Sequence, residues 1–164
     1  MAVDMYLSIP GLTDEKGAAP PGAILIGSTP FLQISDFSLG VATAGAAPTG
    51  ASAGKVEFNP LTVVLPVDVV TPLLLRACVQ GTQFADASLI VRTAGTSPPV
   101  TTEKYDFKTV VVRSLSVAGS PSGDRQSLTF GYGALQITFT PLNAQGKAET
   151  PSTGGFDIVT NTAS

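Results

Sequence analysis

The run Gly54-Lys55-Val56-Glu57-Phe58-Asn59-Pro60-Leu61-Thr62-Val63-Val64-Leu65, continued by Thr71-Pro72-Leu73-Leu74-Leu75-Arg76-Ala77-Cys78, decides how the chain is read. Its first part is apolar and rich in β-branched residues, so Lys55–Leu65 reads as a strand. The alternation changes phase at Asn59-Pro60, which puts Pro60 at an edge or a bulge. The second part changes period. Leu74 with Ala77 and Cys78, and Leu75 with Val79, recur at helical spacing. Thr71 is placed as the N-cap, Pro72 as the first helical residue, and Gly81 where a helix would stop. A helix over about residues 71–80 is too short to stand alone and must pack on a sheet.

Working outward, strands dominate. Val3, Met5, Leu7 and Ile9 alternate with Ala2, Asp4, Tyr6 and Ser8, giving a half-buried strand over residues 2–9. Residues 24–39 are apolar, with a phase change at Ser35-Asp36 that a bulge or bend would produce. Gly40–Gly54 is almost entirely Gly, Ala, Thr, Ser and Pro, without charge or large side chains. It reads either as a plain loop or as an arm that becomes ordered against a partner. Further strands are expected over 87–93, over 103–118 with Phe107, Val111, Leu115 and Val117 on one side, and over 126–141. The last contains Leu135, Ile137 and Phe139 and bends at Gly131 and Gly133. Phe156–Val159 is a final short strand. The expected fold is mainly β: an antiparallel barrel or sandwich with a short flanking helix, spanning 1–164 as a single domain, and the pattern does not choose between the two closures.

Composition narrows the function. Only 13% of the 164 residues are charged, against about 25% in a typical soluble domain. Mean hydropathy is +0.31. Either a large β core with Ser/Thr-rich loops accounts for this, or much of the folded surface is buried against neighbours. The basic residues are scattered and the net charge is −3, so no nucleic-acid footprint is present. The most apolar run, Val63–Leu75, is broken by Pro66, Asp68 and Pro72, which argues against membrane insertion. Met1–Tyr6 has no basic region and carries an acid, so it is not read as a secretory signal.

Catalytic chemistry finds few supports. The chain has no histidine, which removes the usual general base, zinc ligand and triad member together. No Asp/Glu cluster has a recognised metal spacing, and no Gly-rich loop leads into Lys-Ser/Thr. Cys78 is the single cysteine, set among apolar neighbours. Glu103, Lys104, Asp106 and Lys108 read as the ion-paired polar face of a strand. No catalytic, cofactor or metal residue is assigned, and no enzyme activity is expected.

Four segments together resemble the Hcp (haemolysin-coregulated protein) family, which forms the inner tube of bacterial type VI secretion systems. They are Met1-Ala2-Val3-Asp4-Met5-Tyr6-Leu7; Ala53-Gly54-Lys55-Val56 at the end of the arm; Val67-Asp68 with Thr71-Pro72-Leu73 through Ala77-Cys78; and Gly123-Asp124-Arg125 followed by Leu128-Thr129-Phe130 and Leu135-Gln136-Ile137. The resemblance implies a small antiparallel β-barrel of two packed sheets with one short flanking helix, assembled as a homohexameric ring and stacked head to tail into a tube that a contractile sheath expels. Partners would be the sheath, baseplate and spike proteins, and small effectors in the lumen. It implies synthesis in the bacterial cytoplasm and export without a signal peptide. It also implies that the arm, including Gly40, Val41, Gly45, Pro48, Gly50 and Gly54, reaches a neighbouring subunit or ring. Phe37-Ser38-Leu39-Gly40 is similar to the family's aromatic-Ser-aromatic-Gly passage, which sets Ser38 toward the lumen. Edge-strand pairing with a neighbour is expected at Val3, Asp4 and Met5.

The chain departs from the family pattern in its low charge, its lack of histidine, and Leu39 where an aromatic is common. A tail-tube subunit of a phage or an extracellular injection system therefore stays open, because fold does not fix function. A small-ligand-binding β-barrel is the further alternative, and a minimal carboxylate hydrolase the last.

Overall fold

A computed structural model describes residues 2–14, 16–44, 55–160 and 162–164. Strands β1 (Val3–Ser8), β2 (Ile24–Ile26), β3 (Thr29–Ile34), β4 (Asp36–Ser38), β5 (Val41–Ala44), β6 (Lys55–Phe58) and β7 (Leu61–Pro66) precede helix α1 (Thr71–Gln80). Strands β8 (Gln83–Thr93), β9 (Thr101–Ala118), β10 (Arg125–Gly131), β11 (Ala134–Phe139), β12 (Ser152–Asp157) and β13 (Thr162–Ala163) follow. The large sheet runs β13-β12-β11-β9-β8-β1-β3-β2, and β10, β7 and β4 branch from the second half of β9. Strands β5 and β6 form a separate hairpin.

The organiser is β9, 18 residues long. Its first half pairs with β11 and its second half with β10, while β8 lies along its other side. The branch is tied back by the corner between β3 and β4. There the Ser35 amide donates to the Val64 carbonyl at 2.8 Å and its hydroxyl donates to the same oxygen at 3.0 Å. The mainly β architecture with one flanking helix expected from the sequence is therefore present. The expected barrel is not a closed one: the strand ladder is interrupted at this corner, which only the Ser35 hydrogen bonds bridge. Leu7, Leu61, Val63, Leu74, Leu89, Phe107, Val110, Leu128 and Phe130 fill the space enclosed.

Both sequence-level phase changes mark real breaks. Ser35 separates a strand pairing with β1 from one pairing with β7. Asn59-Pro60 separates β6, which pairs with β5, from β7, which pairs with β10. In α1, Gly81 adopts φ 62°, ψ 34°, and its amide and that of Thr82 satisfy the Cys78 and Ala77 carbonyls.

Several expectations are corrected. Thr71 is the first helical residue, and Val70 occupies the cap position without a side-chain bond. Asp68 acts in its stead, its carboxylate accepting from the Val70 amide at 2.8 Å. The helix buries Leu73, Leu74 and Ala77 but leaves Leu75 and Val79 exposed. β1 is an interior strand between β3 and β8, so Met5 is paired on both sides, with Val91 and Ile34. The edge expected at Val3, Asp4 and Met5 shrinks to the β3-facing side of Val3 and Asp4, which pair with β8 alone. The final strand pairing with β11 is Ser152–Asp157, not Phe156–Val159. In β9 the inward residues are Phe107, then Val110 and Val112, while Val117 is exposed. A phase flip between Phe107 and Val110 therefore turns the strand over.

Candidate assembly surface

The base of the arm is a defined hairpin. Val41 pairs with Phe58 and Ala44 with Lys55, so the first four arm residues after Gly40 are strand and not loop. Gly40 leaves room for Asn59, because a Cβ would lie 2.7 Å from the Asn59 side-chain amide and push that side chain aside. Its carbonyl accepts from the Asn59 amide at 2.9 Å, and the Asn59 carbonyl accepts from the Tyr132 hydroxyl at 2.9 Å. Phe58 stacks on Phe156 with ring centroids 5.2 Å apart and meets Tyr132 edge-on at 6.2 Å. Tyr132 in turn meets the buried Phe107 at 5.1 Å. An aromatic chain thus bolts the hairpin to the core. Burial pushes the Tyr132 phenol up to about 12, against the opposing pull of Arg113.

Beside this hairpin, one face of the β9–β11–β12 ladder overruns the core. The register sets Leu135 beside Phe107, Ile137 beside Tyr105 and Phe139 beside Glu103. Alternation puts these residues on one face. Leu135 and Phe107 are buried, but Ile137 is 37% and Phe139 50% exposed. Gly154 and Gly155 of β12 pair with Ile137 and Gln136. A Cβ on Gly155 would come within 2.8 Å of the Leu135 carbonyl, so position 155 requires glycine, while a Cβ on Gly154 would meet open space. The result is an apolar groove of about 500 Å³ between Val41, Val56 and Phe58 on one side and Ile137, Phe139 and Phe156 on the other. Among the described residues no charged one lines it, although Glu103 stands beside Phe139 on the same face. The opposite face of the same ladder is ionic: Lys104 and Asp106 lie 3.3 Å apart, Lys108 pairs with Asp86, and the Ser88 hydroxyl donates to Asp106 at 2.8 Å. Of the polar face expected from the sequence, Lys104, Asp106 and Lys108 lie on this side, whereas Glu103 alternates to the groove side beside Tyr105.

A second hollow, of about 430 Å³, adjoins the groove and shares Val41, Leu135 and Ile137 with it. Ser38, Leu39 and Gly40 line it together with Phe37, whose ring meets Tyr105 edge-on at 5.3 Å. The Tyr105 hydroxyl donates to Glu103 at 2.7 Å. Burial, then that hydrogen bond and the Glu103 charge, push its phenol up to about 12. The structure thus brings Ser38, Gly40 and Val41 together at one surface. Gly45, Pro48, Gly50 and Gly54 lie outside the described residues. Sequence reading missed Phe58, Ile137, Phe139 and Phe156 as a surface, since alternating apolar residues read as core. Among the described residues no His/Cys/Asp/Glu group is placed to hold a metal ion.

A family model described as "Type VI secretion system effector, Hcp" matches residues 30–139, from β3 to the end of β11. The chain belongs to the Hcp family. Protein hcp1 of Pseudomonas aeruginosa is 32% identical to it over 110 residues, covering 65% of this chain and 68% of that protein. Among solved structures, one titled as a type six secretion system protein superposes with a TM-score of 0.79 at 21% identity, covering 99% of this chain and 100% of its own. Hcp1 from Salmonella typhimurium superposes with a TM-score of 0.73 at 20% identity over the whole of both chains. The Hcp fold therefore extends beyond the matched segment to both ends, including β1 and β12. As an Hcp protein the chain is a type VI secretion tube subunit. Hcp proteins leave the cell by that route, and no described helix is long and apolar enough to cross a membrane.

Proposed function

We propose that this Hcp subunit forms six-membered rings that stack head to tail, and that a neighbouring copy covers the groove beside the arm. The observation that carries this reading is the overrun of the β9–β11–β12 core face: a groove continuous with the core, its described lining uncharged, left open at Ile137 and Phe139. Obligate interfaces resemble a core cut in two. An uncharged lining also avoids the desolvation penalty of burying ions. The arm, Gly40–Gly54, leaves from the rim of this groove and reaches a neighbouring subunit or ring. A contact between different surfaces closes into a ring by rotation, while stacking along the axis leaves ends that polymerise.

On the same reading the tube works with sheath, baseplate and spike proteins and carries small effectors, with Ser38 offered as a lumen residue beside cargo. The whole chain acts as one domain of the tube. No catalytic role is assigned to any residue. Native mass spectrometry with negative-stain microscopy tests the reading. Rings or stacked tubes are expected, and a monomer persisting at high concentration would sink it.

A further inference from the structure

Thr109 is the one described residue other than glycine with a positive φ, at 55°. Eight glycines hold the remaining described positive-φ positions. The sequence thus supplies glycine wherever else the backbone turns left-handed, and a β-branched residue in that region is a steric outlier. The kink explains the phase flip in β9. It interrupts pairing on both sides at once: Lys108 and Val110 pair with Asp86 and Phe84 of β8, and Lys108 and Val111 with Ala134 and Gly131 across the link, but Thr109 pairs with nothing. Gly133 braces it by donating its amide to the Lys108 carbonyl at 2.8 Å. A Cβ on Gly133 would lie 3.2 Å from the Thr109 Cβ and 3.3 Å from a Val159 methyl.

Glycine at position 109 would make the same bend without strain, so the bend does not explain the threonine. Thr109 is exposed, and among the described residues its hydroxyl makes no hydrogen bond. Val159, across Gly133, is 77% exposed. Strained residues persist where surrounding structure or function retains them.

We infer that the Thr109–Val159 corner is a contact surface for a second copy of this chain. The inference rests on the ring reading and sharpens it. A head-to-tail contact joins two different surfaces of a subunit, so the groove at Ile137 and Phe139 cannot be its own complement. The corner is a separate surface, and its adjacent charge, Lys108, is already paired with Asp86. That leaves an apolar and hydroxyl-bearing knob suited to an uncharged neighbour such as this subunit presents.

Two variants of the whole chain test this, Thr109→Gly and Val159→Asp, each followed by sedimentation for ring formation and by thermal melting of the dilute, dissociated subunit. Thr109→Gly is expected to melt about 2–4 °C higher as a subunit, the shift that relief of modest strain gives in a chain of this size. At the same time its ring-forming concentration should rise roughly tenfold, the equivalent of one lost side-chain contact. Val159→Asp is expected to melt as wild type and to lose rings. Rings from both variants at wild-type concentrations, or a lower melting point for Thr109→Gly, would overturn the inference. If the wild-type chain itself forms no ring, the ring reading fails first and this one falls with it.

Discussion

The flank that carries α1 and the wall that carries the arm are built from similar residues to opposite ends. On the flank, Leu73, Leu74 and Ala77 are buried, the helix ends in a left-handed glycine, and its last carbonyls are satisfied by the Gly81 and Thr82 amides. On the wall, Val41, Ile137 and Phe139 are as apolar, yet they remain open on a face whose other half is core. Leu75 and Val79 show that the helix also exposes apolar side chains, but they stand beside Arg76 and Gln80 without forming an uncharged groove. Burial on the flank is complete within one subunit. Burial on the wall is half complete, and an assembling protein needs such a surface. Of the two explanations for the low charge, the filled β core is present, and the groove with its uncharged described lining is where the proposed assembly supplies the other.

This contrast can be broken or sharpened by substitution. The largest effect is expected on the flank. Leu74→Ala empties a fully buried site and should lower subunit stability by about 2–5 kcal/mol in urea unfolding, with rings lost only as the subunit unfolds. Stability close to wild type would show that the helix does not close the core. Gly81→Ala places a Cβ at φ 62° and should destabilise by about 1–2 kcal/mol, without altering the ring-forming concentration of the folded fraction.

The smallest effects belong to pH. Tyr105 and Tyr132 both sit under the wall, and burial raises both phenols from an ordinary value near 10 to about 12. The folded state therefore holds protons that the unfolded chain releases. This contribution is fully present below pH 10 and is lost as pH rises from there toward 12. Alkaline titration should loosen the wall, seen as lower melting points and phenolate absorbance in that window. With no histidine in the chain, assembly should be flat between about pH 6 and 8. A transition near pH 6.5 would contradict this.

How far the sequence could be read depends on whether a feature is local. The breaks at Ser35 and Asn59-Pro60, the helix, its terminal glycine and the bend at Gly131–Gly133 were all legible, because each is set by its own residues. The helix start was misplaced by one residue, since Asp68 caps the turn from outside the reach of a Thr-Pro signal. The inward set of β9 was misread beyond Phe107 because Thr109 carries no turn signal, and a threonine in a left-handed kink is braced by Gly133 from the link between β10 and β11. β1 alternates as an edge or an interior strand would. Only the pairing of Met5 with Ile34 and Val91 decides. The groove escaped notice for a related reason: Ile137 and Phe139 alternate like core residues, and only three-dimensional register reveals that the core ends at Leu135.

The account turns on that groove, and Phe139→Asp tests it most directly. A charge at this half-exposed position should leave the subunit's urea midpoint within about 0.5 kcal/mol of wild type. Sedimentation of the same sample should show rings replaced by monomer, at concentrations where the wild-type chain assembles. Rings of unchanged stability from Phe139→Asp would contradict the claim that this wall is where one copy meets the next.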